Sequence, residues 1–332
     1  MVKVISLAHG DGGELSHRLI RDVFAESFGH SGALFDSASL NLPGTRIAVT
    51  TDTFVIKPIF FPGGTIGKLA VAGTVNDLSV SGAKPLYLTC GFVIEEGFPL
   101  NDLKKIVADM KSEADDVGVK IIAGDTKVVE RGSADGVYIN TTGIGVYEEG
   151  RGCSYRFEAG DVVIVTGTVG DHGVAVLAAR GDLGIEAHLV SDCASLDKML
   201  SAVLEECGGV RIMRDPTRGG LATTLVEIAE DFSITIKLKE ETIPVKDVVH
   251  GVCDLVGFDP LYLANEGKAI IIAAKDNAWQ VLDIIRSFPE GGEAAIIGSI
   301  VGLERGQLLL ETPLGSKRIL NRLTGTMVPR IC

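Results

Sequence analysis

Two sets of alternating strands and helices, separated by a glycine-rich junction, constrain the fold of this chain more than any other feature. The junction is "EEGRGC" at 148–153. Before it, "RIAVTTDTFVI" (46–56) and "DGVYINTTGIGVY" (135–147) have the composition and alternation of strands. After it, "DVVIVTGTVGDHG" and "AAIIGSIVG" also contain apolar stretches with the composition of strands. Mixed strands and helices in two halves indicate two α/β (α+β) domains.

Helices are predicted between the strands of the first half. The apolar segment 66–85 has Gly82 near its C-terminal cap and Pro85 as its stop. In "NDLKKIVADMKSEADDVG", apolar residues recur at helical spacing, and Asn101 stands where it can cap the helix. The second half contains further amphipathic segments, such as "SLDKMLSAVLEECGG".

The junction and the length of 332 residues also predict the domain boundaries. We expect an N-terminal domain over 1–152, a C-terminal α/β domain over 153–316 and a flexible tail over 317–332. The stretch 312–332 carries four basic residues and no acid. This charge is either an ordinary solvated surface or a basic tail that docks on an acidic body or its anionic ligand.

The overall charge and hydropathy exclude several classes of protein. A net charge of −13 is opposite to the basic patch that nucleic-acid binding requires. No apolar run reaches the roughly 18 residues of a membrane helix. Polar and charged residues interrupt the first 30 positions, unlike a secretory signal. We therefore expect a soluble, cytoplasmic protein that binds neither nucleic acid nor membrane.

The six cysteines do not form a recognisable metal or redox motif. No two of them have C-x-x-C spacing, and without a signal peptide a disulfide framework is not expected. Cys90 and Cys253 lie in apolar runs, as small core residues do. Cys332 is the last residue, where packing contributes little and the thiol is free to react.

The common nucleotide-binding motifs are missing. The nearest stretch to a P-loop, "PGGTIGKLA", lacks the first glycine at the required spacing and the Ser or Thr after Lys68. No G-x-G-x-x-G follows a predicted strand. Walker and Rossmann sites are therefore disfavoured.

Several aspartates lie where predicted strands or glycine turns end. They are Asp11, Asp52, Asp77 and Asp125. Mg²⁺ takes a few carboxylates together with phosphate oxygens, so acids that converge on one cleft would suit Mg-ATP. Each aspartate alone is equally compatible with a local backbone acceptor in a turn.

Other polar residues have two interpretations each. Lys127 either neutralises a phosphate or is a solvated loop lysine. Glu266, in "LANEGKA", is either a general base or an exposed turn acid. His172, in "GDHG", stands at a predicted helix start as a cap, packing residue or ligand. Arg218, in "RDPTRGG", either contacts substrate or belongs to a Pro-initiated helix entry.

Taken in order, these motifs resemble one family along nearly the whole chain. The set is "AHGDGG", "TTDTF", "VNDLSVSGAKP", "AGDTKVV", "GDHG", "DPTRGG", "NEG" and terminal "PRIC". It resembles the carbamoyl dehydratases of hydrogenase maturation, within the superfamily of aminoimidazole ribonucleotide synthetase and selenophosphate synthetase. "PRIC" at the C-terminus is the specific part. Asp11 is a departure, because the family's glycine loop has a small residue such as Ser there.

The resemblance implies an activity and a fold. The implied enzyme uses ATP and Mg²⁺ to remove water from an S-carbamoyl group on the terminal cysteine, leaving S–C≡N, and the cyano group becomes a cyanide ligand of iron in nickel–iron hydrogenase. The implied fold is the two-domain aminoimidazole ribonucleotide synthetase-like fold, paired into a homodimer through its N-terminal domains.

Site residues are carried over from the same resemblance. Cys332, Glu266 and Lys127 are the catalytic candidates, as carrier thiol, base and carbamoyl-orienting cation. The expected ligands of Mg-ATP are Asp52, Asp77 and Asp125, which also bind the metal, with Asn76 and Asn140 as further polar contacts. The implied partners are a HypF-type carbamoyltransferase and the HypC–HypD iron scaffold complex.

Three other functions compete with this interpretation. Another synthetase of the superfamily would make selenophosphate or a purine precursor, but selenophosphate synthetases carry a reactive Cys near the N-terminal glycine-rich segment, and no cysteine precedes Cys90 here. A non-catalytic scaffold would bind ATP and dock partners through its tail; Lys127 and Glu266 favour the enzyme. A redox or metal carrier fails on cysteine spacing.

Overall fold

The structure is a computed structural model that describes residues 4–6, 19–29, 46–149, 152–181 and 184–323. Its strands and longer helices are β1 (Ile47–Phe54), β2 (Phe60–Phe61), β3 (Gly64–Thr65), α1 (Ile66–Val80), β4 (Lys84–Glu95), α2 (Leu100–Val117), β5 (Lys120–Val129), β6 (Val137–Val146), β7 (Val162–Val165), α3 (Asp171–Arg180), α4 (Asp197–Glu206), β8 (Val210–Arg214), α5 (Gly220–Asp231), β9 (Thr235–Lys239), α6 (Asp247–Val256), β10 (Ile270–Ala273), α7 (Ala278–Arg286), β11 (Ala295–Gly302), β12 (Gln307–Glu311) and β13 (Lys317–Leu320). A π-helical turn covers Ile20–Ala25, and 3-10 turns cover Glu240–Thr242, Pro260–Tyr262, Lys275–Asn277 and Pro289–Gly291.

The N-terminal half is built on a four-stranded sheet with the order β1-β6-β4-β5. The β1–β6 and β4–β6 pairs are antiparallel, and β4–β5 is parallel. Along β1, Ala48 and Phe54 are buried while Ile47 and Val49 are exposed. One face of this sheet therefore packs on helices, and the other, here called the open face, meets solvent in the single chain.

Helix α1 is buried nearly all round, as expected for a helix enclosed by the fold rather than lying on its surface. Thr65 caps it by accepting a hydrogen bond from the Lys68 amide at 3.2 Å. Gly67 permits the close approach of α2, because a Cβ there would lie 2.2 Å from the Ile106 carbonyl oxygen. The C-terminal end of α1 reaches the second domain, where Val80 packs among Leu200 and Met213.

The second predicted helix forms as α2, but its cap is different from the prediction. The helix begins at Leu100 after Pro99, so Asn101 lies inside the first turn and does not cap it. The predicted apolar stripe is confirmed at the residues that α2 buries, which include Leu103, Ile106 and Met110.

The C-terminal half contains a seven-stranded sheet with the order β13-β12-β9-β11-β7-β10-β8. Its pairs are antiparallel except for β9–β12, which is parallel. The central strands β7 and β10 are apolar and buried on both faces. The predicted mixed α/β (α+β) class is confirmed. No described helix is long and apolar enough to cross a membrane.

The prediction of a flexible tail from residue 317 is wrong for its first residues. Lys317–Leu320 form the edge strand β13, paired with β12, and the Leu320 side chain is buried. The strand is held to the C-terminal sheet by pairing with β12 and by Leu320, which packs in the core, while the neighbouring Ile319 is exposed. The remaining residues of the predicted tail, 324–332, lie outside the described residues.

Candidate active site

A cluster of acidic side chains occupies the cleft between the two domains. Asp52 lies on the helix-packed face of β1, and its Oδ2 approaches the Cα region of Gly73 in α1. Asp77 extends from α1 and accepts a hydrogen bond from Thr50 Oγ1 at 2.8 Å. Burial raises the pKa of Asp77, the Thr50 bond opposes that shift, and the Asp52 charge adds to it. The structure thus brings together two of the predicted Mg-ATP ligands.

Asp215 joins this cluster from the C-terminal domain. It follows β8 directly, at the start of "DPTRGG". The protein atoms that enclose it raise its pKa to about 7, and the charges of Asp77 and Asp52 contribute in the same direction. The sequence of this motif points to its arginines and not to Asp215, because an Asp before Pro is typical of an ordinary helix start.

Glu266 is a further acidic residue of the C-terminal domain near this cluster, and it is buried, with only 8% of its surface exposed. It is therefore not an exposed turn acid. Burial raises its pKa well above the usual value, and the charges of Asp192, Asp215, Asp52 and Asp77 act in the same direction. A carboxyl group with a raised pKa in a cleft is suited to proton transfer near neutral pH.

The neighbours of Glu266 explain the sequence "NEG". The Asn265 side chain accepts from the Gly170 amide at 2.8 Å and donates to the Pro216 and Leu263 carbonyls at 3.0 and 3.1 Å. Asn265 thus ties together three segments of the C-terminal domain. Gly267 is required by close approach, since a Cβ there would lie 1.8 Å from the Asp192 carbonyl oxygen.

Residues 190–196, here called the strap, cross the domain interface beside Glu266. The Ser191 amide donates to the Pro62 carbonyl of the N-terminal domain at 2.8 Å. The Ser191 hydroxyl bonds to His172 Nδ1 at 2.9 Å on the other side. Ser195 donates to Glu113 of α2 at 2.6 Å. The strap is therefore fastened to both domains.

Asn76 has a structural role at this interface. Its side chain accepts from the Leu196 amide at 2.8 Å and donates to the Ala194 carbonyl at 3.0 Å, and it is 2% exposed. Asn76 is predicted from sequence to contact ATP, and in the structure its side chain is hydrogen-bonded to the strap. Asn76 thus holds the strap on the N-terminal domain, and its contact with ATP stays a prediction.

Asp125, Lys127 and Asn140 lie elsewhere in the single chain. The strand β5 runs on through Val129, so Asp125 is in mid-strand instead of at its end. Asp125 pairs with Gly91, which pairs with Asn140, so Asp125, Gly91 and Asn140 share one row of the sheet. Lys127 is two residues after Asp125 and therefore lies on the same face. Asn140 donates to Thr53 Oγ1 at 2.9 Å on the open face. This row is on the opposite side of the sheet from Asp52 and Asp77.

The cluster fits a metal that shares its ligands with phosphate. Among the described residues, no three His, Cys, Asp or Glu side chains are arranged to hold an ion by themselves. Mg²⁺ does not need such a cage, because it usually takes one or two carboxylates and completes its shell with phosphate oxygens and water. Asp52 and Asp77 are a donor set of this kind.

The other residues singled out from sequence fall into four groups. His172 is fully buried at the start of α3 and packs its ring edge-on to Phe61 at 5.6 Å, as a packing residue. Arg218 is exposed, and its charge lowers the pKa of Asp77 against the larger effect of burial. Cys332 and Asp11 lie outside the described residues. The predictions for Cys90 and Cys253 as core residues are confirmed.

Family models match both halves of the chain. The N-terminal domain of AIR synthase related proteins matches residues 35–147, and the C-terminal domain of the same proteins matches residues 158–311. The two sheets and the acidic cleft between them therefore define an AIR synthase related protein, as the motifs predicted.

Similar proteins narrow the family further. Carbamoyl dehydratase HypE of Rhodobacter capsulatus is 45% identical, covering 99% of this chain and 98% of that protein. The crystal structure of a HypE in complex with ATP matches with a TM-score of 0.94 and 45% identity, covering 98% of this chain and 99% of that one. A HypE–HypF complex matches with a TM-score of 0.80 and 45% identity, covering 92% and 99%. This chain belongs to the HypE family of carbamoyl dehydratases, enzymes of hydrogenase maturation.

Proposed function

We propose that this chain dehydrates an S-carbamoyl group on its own Cys332 to a thiocyanate at the expense of ATP, and donates cyanide for the iron centre of nickel–iron hydrogenase. The observation that carries the proposal is Glu266, a buried carboxyl group beside the acids of the interdomain cleft. The ATP complex of a relative that is 45% identical supports ATP as the co-substrate.

The chemistry requires a phosphate donor and a base. Thiocarbamate oxygen is a poor leaving group, so it first attacks the γ-phosphorus of ATP and displaces ADP. The nitrogen gives up one proton as the C=N bond forms, and a second as the C–O bond breaks and phosphate leaves. The sum is R–S–C(O)NH₂ plus ATP giving R–S–C≡N, ADP and phosphate. In this scheme Glu266 is the base that takes up the protons from the carbamoyl nitrogen.

Asp52 and Asp77 would hold Mg-ATP from the N-terminal side of the cleft. A bound Mg²⁺ would supply positive charge at the phosphate oxygens. Asp77→Asn removes one negative ligand and is expected to weaken Mg-ATP binding itself, unlike a change at Glu266. Isothermal titration of the full chain with Mg-ATP measures that difference.

The chain acts as a homodimer that pairs through the open face. Exposed apolar residues support this arrangement, with Ile47 48% and Val49 62% exposed on β1. A sheet face of this kind is covered in stable proteins. Asp125, Lys127 and Asn140 lie on that face, so pairing gives them a route to Mg-ATP and the carbamoyl group that the single chain lacks. Light scattering at micromolar concentration tests the dimer; a monomer contradicts it.

Two exchanges of the carbamoyl or cyano group connect this chain to other proteins. A HypF-type carbamoyltransferase loads Cys332, and the HypE–HypF complex of a relative supports this partner. The HypC–HypD complex accepts the cyano group. A thiol at the chain end can visit these sites in turn, whereas a core cysteine such as Cys90 cannot.

Intact-mass spectrometry tests the activity directly. Full-length protein is carbamoylated by the transferase and then given Mg-ATP. A loss of one water, mapped to the C-terminal peptide, is expected in wild type and not in Cys332→Ala. Modification of Cys90, Cys153, Cys193, Cys207 or Cys253 contradicts the carrier assignment. ATP binding without any mass change indicates a scaffold instead of an enzyme.

A further inference from the structure

The Asp192 side chain of the strap is hydrogen-bonded to the backbone of the proposed base. Its Oδ1 accepts the backbone N–H of Glu266 at 3.1 Å. Its Oδ2 is buried without a hydrogen-bond partner, and the side chain is only 2% exposed. A carboxylate held this way is unusual, because buried polar atoms nearly always find a partner. Such an exception calls for a functional explanation.

The backbone on both sides of Asp192 is locked onto Glu266. The Ala194 amide donates to the Glu266 carbonyl at 3.4 Å, so the strap and the "NEG" turn bond in both directions. Gly267 allows the Asp192 carbonyl to approach as closely as it does. Movement of the strap would therefore move Glu266 with it.

Lys268 is the cation nearest to Asp192. Its Nζ lies 3.8 Å from Asp192 Oδ2 and donates to the Gly267 carbonyl at 3.2 Å. The separation from Oδ2 is longer than a hydrogen bond, so Lys268 moderates the carboxylate charge and does not neutralise it by close pairing. Gly167 makes room for this lysine, since a Cβ there would lie 2.9 Å from its Cε.

We infer that Asp192 is a positioning residue for Glu266, which holds the backbone of the base through one oxygen and keeps a negative charge buried beside it with the other. The inference rests on the proposed role of Glu266 as base. Glu266 is surrounded by Asp192, Asp215, Asp52 and Asp77. Of these, Asp192 alone is bonded to the Glu266 backbone, and its charge has the largest effect on the base after burial.

The consequence is chemical. A buried negative charge stabilises the protonated form of a neighbouring carboxyl group and so makes Glu266 a stronger base. Bound Mg-ATP would place positive charge beside Asp52 and Asp77 and so would offset their effect on Glu266. Asp192 belongs to the strap and retains its influence.

The pH profile of the single-turnover rate constant for dehydration tests this role. Asp192→Asn still accepts the Glu266 N–H but loses the charge. We expect its rate constant on the plateau above the acid limb to fall about three- to tenfold, because a base of lower pKa takes up a proton less readily. Its acid limb should shift to lower pH, while Mg-ATP affinity stays as in wild type. A residue that only supports the fold would change the amplitude without moving the limb.

Asp171→Asn is the matched control. Asp171 is also 2% exposed, has an unpartnered Oδ1 and is paired with a lysine, Lys246, at 2.7 Å. It is not among the charges that act on Glu266. Its loss is expected to lower thermal stability and leave the acid limb in place. An equal limb shift in both variants overturns the inference.

Two further outcomes separate this inference from the proposed function. If Glu266→Gln dehydrates at the wild-type rate, the base assignment fails and the inference fails with it. If Glu266→Gln is inactive but Asp192→Asn has a wild-type profile, only the inference fails. Should Asp192→Asn not fold, the wild-type profile decides, because an acid limb in the ordinary glutamate range contradicts a base controlled by buried negative charge.

Discussion

The side chain of Asn76 is hydrogen-bonded to the backbone of Leu196 across the domain interface. The Leu196 amide donates to Asn76 Oδ1 at 2.8 Å, and Asn76 Nδ2 donates in return to the strap at Ala194. Asn76 is next to Asp77 in α1, so one helical turn carries both a proposed metal ligand and the attachment of the strap. The positions of the two halves of the site are therefore linked through adjacent residues.

Asn76→Ala is expected to destabilise the protein by about 2–3 kcal/mol, because two buried backbone groups lose their partner. Denaturant unfolding measures this loss. Asn101→Ala is the control, since Asn101 is exposed in the first turn of α2. If Asn76→Ala left stability unchanged and abolished only ATP binding, the side chain would be a ligand and its role at the interface would be refuted.

Gly267→Ala is expected to disable the site. The new Cβ would overlap the Asp192 carbonyl, so either the strap or Glu266 must move. Dehydration should fall by at least the factor lost in Glu266→Gln, and the melting temperature should drop. Near-normal turnover would mean that the turn can relax without consequence.

Gly251→Ala provides the contrast for that experiment. Gly251 lies in α6 with nothing within 4 Å of its Cβ position. Alanine there should raise the free energy of unfolding by about 0.5–1 kcal/mol through helix propensity, with turnover unchanged.

His172 predicts a pH dependence of stability. Burial lowers its pKa from 6.5 to about 4, against the opposing effect of Asp192. Between these two values the unfolded chain binds a proton that the native protein does not, so stability is lost as pH falls through this window. Over the whole window this amounts to about 3 kcal/mol.

Replacing the imidazole isolates that contribution. His172→Asn retains a polar atom near Ser191 but cannot titrate, so its unfolding free energy should vary less between pH 6.5 and 4 than that of wild type. His250→Asn, at an exposed position of α6, should leave the wild-type slope. Parallel curves for wild type and His172→Asn would show that other groups cause the acid sensitivity.

The parts of the site that sequence predicted are those held in local motifs. Asp52 and Glu266 stand in short stretches whose chemistry can be read residue by residue. Asp192 stands in no motif, because its role depends on a contact with Glu266, 74 residues further along the chain. Such a contact is set by the close approach at Gly267, which only the folded backbone reveals.

Strand length explains the residues whose placement differed. The sequence predicts a strand that ends at Asp125, yet β5 continues for four more residues to Val129. Because side chains alternate along a strand, the continuation fixes Asp125 and Lys127 on the open face. In β1 the same alternation places Asp52 on the helix-packed face together with Ala48 and Phe54.

The last prediction concerns the attachment of the chain just before its final nine residues. Arg322 pairs with Glu230 of α5 at 2.6 Å, and Arg318 pairs with Asp259 at 3.1 Å. The Asn321 carbonyl accepts from the Tyr262 hydroxyl at 2.8 Å, four residues before Glu266. For Arg318 and Arg322 these pairs agree with the interpretation that the basic residues dock on an acidic surface, and Arg330 lies outside the described residues.

The attachment sets the starting point for Cys332. Nine residues span at most about 30 Å, so the anchor limits where the thiol can reach. Arg322→Glu should detach the chain from α5 and so lower the effective concentration of the Cys332 thiol at the cleft. Dehydration of pre-carbamoylated protein should then slow by about two- to fivefold, as expected for a partly exposed ion pair. Loading by a separate transferase should not slow, because it needs the tail away from the cleft.

Arg322→Glu combined with Glu230→Arg should restore part of the rate at low salt, whereas Arg305→Glu, which alters an exposed pair elsewhere, should have no effect. A charge-swapped double variant no faster than Arg322→Glu alone would show that the ion pair does not guide the thiol.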